Sequence, residues 1–123
     1  MKTKTSQLED RLVDFAVRTI HVVEALPETR AGKHIAGQLV RSGTSPALNY
    51  GEAQSAESRE DFLHKMKVCL KELRETMICL KIIVRKPLCT MARVGPLQKE
   101  CDELISIFVK SIQTASRKKD GPA

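Results

Sequence analysis

Lys67, Lys71, Arg74, Lys81 and Arg85 are the residues whose type and spacing point most directly to a chemistry, the neutralisation of phosphate. At about 100° per residue they share a stripe roughly 80° wide on one side of a helix. Lysines four apart repel by a few tenths of a kcal/mol in a free helix, so the row is slightly unfavourable unless an anion or an acidic neighbour offsets it. Glu75, four residues after Lys71, can pair with that lysine, which weakens the argument for a free cationic row. With one Tyr, three Phe and no Trp, few rings are available to stack on bases, so contact with nucleic acid would be mostly with its backbone. The net charge of +6, from 21 basic against 15 acidic side chains, has the sign such a partner requires, and also serves plain solubility. Arg11, Arg18, Arg41 and the Lys118-Lys119 pair are the cations that could extend the stripe.

The raw materials for catalysis are thin by comparison. His21, His34 and His64 fall on three separate segments. The Glu-x-x-His pairing of di-iron bundles is absent, because Arg18, Ala31 and Asp61 stand three residues ahead of them. Asp61 with His64 is the nearest approach. The four cysteines, Cys69, Cys79, Cys89 and Cys101, contain no Cys-x-x-Cys pair, and the first two lie too far apart along one helix to bond. They read as free thiols in a reduced interior. There is no Gly-rich phosphate loop, nucleophile elbow or Walker lysine. A non-enzyme without metal or cofactor is expected.

Positioning the cations falls to the stretch Ser58 to Lys86, which has no Gly or Pro inside. Its apolar residues Phe62, Met66, Cys69, Leu73, Leu80 and Ile83, with Thr76 among them, alternate at spacings of four and three and keep to one side of a helix. Leu63, Leu70, Met77 and Val84 recur every seventh residue and widen that side enough to meet more than one neighbour, which makes them the candidate oligomer interface. Ile78 lies within the cationic stripe and shares its exposure. Ser58 with Asp61 resembles a capping box.

Three further helices follow from the same reasoning. The first should run from Ser6, boxed with Glu9, to Leu26, with Leu8, Leu12, Phe15, Thr19, Val22 and Leu26 as its stripe. Pro27 stops it, and the short turn returns the chain antiparallel. The second should span Thr29 to Tyr50, with Gly37, Val40, Gly43, Thr44 and Ala47 forming a side of small groups for close interhelical contact, and with a bend or break near Ser42 caused by Pro46. After Pro87, Gly95-Pro96 reads as a turn into a last helix from Leu97, whose stripe is Cys101, Leu104, Ile105, Phe108, Ile112 and Ala115. The tail from 116 to 123 has nothing to bury and is expected to be disordered. These elements predict one domain over residues 1–123, core about 6–115, folded as an all-α, antiparallel up-down-up-down four-helix bundle. No window reaches the ~18 apolar residues of a membrane span, and the polar residues after the basic start do not form a signal peptide, so a cytoplasmic protein is expected.

The residues Gln38-Leu39-Val40-Arg41-Ser42, Ser45-Pro46 and Asn49-Tyr50-Gly51-Glu52, followed by Ser58, Phe62, Met66, Leu70, Glu72, Leu73 and Glu75, resemble the bacterial four-helix bundle proteins first noticed as products of intervening sequences in 23S rRNA genes. The resemblance covers about Arg11 to Ile112. Gly51 and Ala53 stand where the family usually has Ala and Gly. The accessory proteins of diversity-generating retroelements are similar in fold to this family. Through them the resemblance implies a homopentamer assembled through helix faces, RNA or DNA as the polyanion, and association with a reverse transcriptase. The expected role is thus non-catalytic binding of nucleic acid through the third-helix stripe. The alternative is a protein-binding scaffold or adaptor that touches no nucleic acid.

Overall fold

A computed structural model describes residues 2–120, with side chains as far as Arg117. Among the described residues lie four α-helices: α1 (Lys4–Ala25), α2 (Arg30–Gln54), α3 (Arg59–Arg85) and α4 (Met91–Asp120). Consecutive helices pack on one another, and α1 closes the bundle against α4. This is the expected four-helix bundle. The core consists of Leu12, Phe15 and Val22 of α1, Leu39 and Tyr50 of α2, Met66, Cys69, Leu73, Leu80 and Ile83 of α3, and Val94, Leu97, Cys101, Leu104 and Phe108 of α4. It is aliphatic apart from Phe15, Phe108 and Tyr50, the last two meeting edge to face at 5.9 Å. No helix among the described residues is long and apolar enough to cross a membrane.

Each helix start has a side chain that satisfies an orphan backbone N–H. Ser58 Oγ accepts from the Asp61 N–H at 3.0 Å, as the sequence suggests, and Asp61 in turn accepts from the N–H of Glu57. Thr29 does the same for Gly32. At α1 the cap is Thr3, which accepts from the Ser6 N–H, so the helix begins before the expected Ser6–Glu9 box.

Three expectations need correction. Pro46 does not break α2, which runs unbroken to Gln54, a turn past Tyr50. Proline lacks the donor for the Ser42 carbonyl, yet its ring is buried, and Cys69 Sγ donates to the Pro46 carbonyl at 3.5 Å, so packing against α3 holds the segment helical. Likewise α4 begins at Met91 and passes through Gly95-Pro96. Thr90 caps it, accepting from the Arg93 N–H at 3.3 Å. The apolar stripe extends backward through Leu97 to Val94, both buried, and that burial outweighs the weak helix formers. Finally, the backbone from 116 to 120 continues α4, where a disordered tail was expected; positions 121–123 lie outside the described residues.

The small residues of α2 divide into two kinds. A methyl group built on Gly43 would lie 2.7 Å from Thr19 Oγ1 and closer still to its Cγ2, so α1 and α2 approach there as only glycine permits. At Gly37 nothing lies within 4 Å of that position, and the expected close contact does not extend to it.

Candidate nucleic-acid interface

The rotation of α3 about its axis decides where the cations point, and two sets of contacts to α2 fix it. Arg41 Nη1 donates to Glu72 at 3.0 and 3.3 Å, while Nη2 donates to Glu75 at 3.0 Å. One turn on, Thr76 Oγ1 donates to the Glu72 carbonyl at 2.8 Å and lies 2.9 Å from Ser42 Oγ. Burial pushes the Glu72 carboxyl above the usual carboxylate range despite the guanidinium beside it. Glu75 is held below that range, mainly because Arg41 donates to it. The fork of one arginine on two carboxylates binds Glu75 to Arg41, while Lys71 acts on Glu75 only at longer range.

With α3 fixed in this way, Lys67, Lys71, Arg74, Lys81 and Arg85 are all exposed, and among the described residues none has a carboxylate within ion-pair distance. From first to last they are 18 residue steps apart, roughly 27 Å of helix and the length of about eight phosphates along one strand of a duplex. Lys67, Lys71 and Arg74 line an open depression of about 540 Å³ together with Leu70, Glu75 and Ile78. Ile78 is 55% exposed. Glu60 and Asp61 in the first turn and Arg85 in the last complement the helix dipole.

The other cations named from sequence are not brought to the stripe. Arg11 is clamped between α1 and α4, donating to Glu100 at 2.7 and 2.8 Å and to Glu103 at 3.0 Å. Arg41 is spent on the α2–α3 fork, and Arg18 is half-buried on α1. The Lys118 and Lys119 side chains lie outside those described.

Of the four candidate interface residues, Leu63 is buried within the chain, and Leu70, Met77 and Val84 are half-buried and packed against its core. A second apolar face escaped the sequence reading. Val13, Val17 and Ile20 lie on the side of α1 opposite its core stripe and are 48, 46 and 38% exposed, with Leu48 of α2 also open. Their spacing of four and three was the available signal, in a helix whose core stripe already accounted for its apolar periodicity.

The three histidines are exposed. Cys69 and Cys101 are buried, donate to the carbonyls of Pro46 and Leu73, and are pushed up to about 12 by burial. Among the described residues, no three His, Cys, Asp or Glu side chains form a group that could hold a metal ion. The motif residues in α2 have local tasks. Asn49 donates to the Ser45 carbonyl at 3.0 Å and to Ser45 Oγ at 2.8 Å, and Arg41 and Ser42 make the α3 contacts above.

The sequence profile of the 23S rRNA-intervening sequence protein family matches residues 4–110. Among solved structures, the fold is similar to that of a protein of unknown function from the S23 ribosomal protein family of Bacteroides thetaiotaomicron. The TM-score is 0.83 at 29% identity, and the alignment covers 90% of this chain and 99% of that one. No curated protein matches. Because the profile match takes in α1, α2, α3 and most of α4, with Arg41, Ser42 and Glu72 inside it, the chain belongs to the 23S rRNA-intervening sequence protein family.

Proposed function

We propose that this protein is a non-catalytic, self-associating bundle that binds the backbone of RNA or DNA through Lys67, Lys71, Arg74, Lys81 and Arg85. The observation that carries the reading is that all five are exposed on one helix with no carboxylate among the described residues within ion-pair distance, while Arg11 and Arg41, off the stripe, are engaged with glutamates. Cations held in a row neutralise phosphates and release the counterions condensed on the nucleic acid, which favours binding without base recognition. Self-association multiplies the stripe, so individually weak contacts add up. In this reading the bundle also serves as accessory to a reverse transcriptase, which it helps to hold on the nucleic acid.

The test is fluorescence anisotropy with a labelled structured RNA and a DNA duplex, from low to physiological salt. If all five cations engage a duplex, log Kd should change with log salt by about 4 to 5 per protomer. Lys67→Glu with Arg74→Glu should abolish binding with helicity intact, and unchanged binding would remove the stripe from the account. The exposed Ile78 between the cations, beside half-buried Leu70, favours a second reading, a protein partner on the same face. Such a partner, held by apolar packing, would bind with little salt dependence.

A further inference from the structure

The end of the bundle where α1 and α3 begin carries a second cationic site, distinct from the stripe. A cavity of about 770 Å³ opens there, lined by Lys4 of α1, Arg59 and Phe62 of α3, and Lys110, Ser111 and Thr114 of α4. Its size is that of small-molecule sites, and its walls come from three helices rather than one surface. Each of these helices contributes one cation. Among the described residues no carboxylate lies within ion-pair distance of Lys4, Arg59 or Lys110, although nearby Lys2 and Lys65 have found Asp10 and Glu52. Three like charges lining one opening repel, and a dianion bound there relieves that repulsion. The hydroxyls of Ser111 and Thr114 can donate to the same anion.

The rest of the lining is apolar. The Phe62 side chain is half-buried, and Ala115 adds a methyl group. A second cavity of about 410 Å³ shares Lys4 and Ser111 and continues along α1 past Leu8 to Tyr50 and Ile107. A ligand with a doubly charged head and a flat body would therefore find cations at one end, and an aromatic ring and aliphatic side chains beside them. A nucleotide has this form, with a terminal phosphate carrying close to two negative charges at neutral pH and a base able to pack on a ring. We propose that this end cavity binds a nucleotide through its terminal phosphate, either as a free mononucleotide or as the 5′-phosphorylated end of a strand. The inference uses none of the stripe residues and stands whether or not the stripe binds nucleic acid.

Calorimetric titration of the full chain at low salt tests it, with AMP, adenosine, a 5′-phosphorylated trinucleotide and its 5′-hydroxyl twin as ligands. AMP should bind at least about tenfold more tightly than adenosine, because charge complementarity supplies the discrimination. Arg59→Glu with Lys110→Glu should remove AMP binding, Lys4→Glu should weaken it, and Lys67→Glu with Arg74→Glu should leave it unchanged. All these positions are exposed, and circular dichroism of each variant is to match the parent before its binding is scored. Preference for AMP over the phosphorylated trinucleotide identifies a free nucleotide as the ligand; the reverse, lost with the 5′-hydroxyl twin, identifies a strand end. Failure of both phosphorylated ligands to bind at millimolar concentration, equal affinity for adenosine and AMP, or AMP binding unaffected by the Arg59 and Lys110 changes would each overturn the proposal.

Discussion

Glu72 is the residue whose surroundings ask most of it, since its carboxylate is 7% exposed and relies on Arg41 for a counter-charge. Its folded pKa lies above the unfolded value, so the folded chain binds the proton more tightly and this group adds stability as pH falls through that window. Glu75 has the opposite sign. Its folded value is depressed, so its contribution is present above the unfolded pKa and is lost as pH falls through the folded one. Glu72→Gln, which mimics the protonated acid, should therefore be at least as stable as the parent at pH 7, and any advantage should vanish on titration toward pH ~4. Arg41→Met should lower the melting temperature at pH 7, because it strands the Glu72 carboxylate, and should lower it less in acid. Melting curves of both variants across pH check these signs; an Arg41→Met effect independent of pH would show that the fork is not electrostatic. The thiols divide by depth in the same way. Cys79 and Cys89 are half-exposed and should react with a thiol reagent in the native state, whereas Cys69 and Cys101 should react only on unfolding.

At the scale of the helix, the two glycines of α2 give opposite predictions from one chemical change. Gly43→Ala would push a methyl into Thr19, whose Oγ1 is itself bonded to the Phe15 carbonyl at 2.8 Å and cannot easily turn away. The α1–α2 spacing must then open, at a cost of about 1–3 kcal/mol. Gly37→Ala meets open space and should stabilise the protein by about 0.5–1 kcal/mol through helix propensity. Denaturant unfolding of the pair measures both, and similar effects at the two sites would mean that the helix contact is not as tight at Gly43 as described. α4 shows how burial overrides local signals. Gly95-Pro96 reads as a turn, yet Val94 and Leu97 on either side of it are core residues, and their packing carries the helix through.

At the scale of the molecule, the proposed self-association has two apolar faces available to it. Leu70, Met77 and Val84 are partly consumed by the chain's own core, while Val13, Val17 and Ile20 lie outside that core and are 48, 46 and 38% exposed. If assembly uses the α3 side, Leu70→Asp should dissociate the oligomer or unfold the protomer. If it uses the outer side of α1, Val17→Asp should lower the mass in solution and leave the helicity unchanged. Light scattering with circular dichroism distinguishes the two, and a mass unchanged in both variants would exclude both faces.

The bundle was legible in the sequence because the four-three spacing of apolar residues states which side of each helix is buried, and proline and capping residues state where most helices end. The cationic stripe was legible for the same reason, being a matter of angle around one axis. Tertiary structure alone decided which cations are free. Glu72 and Glu75 sit 31 and 34 residues from Arg41, and Glu100 sits 89 from Arg11, so periodicity along a single helix has no access to those pairings. It likewise decided that Pro46 and Gly95-Pro96 stay helical, since their local preferences yield to burial against other helices. The end cavity belongs wholly to the fold, because Lys4, Arg59 and Lys110 share no helix and come together only when α1, α3 and α4 are packed.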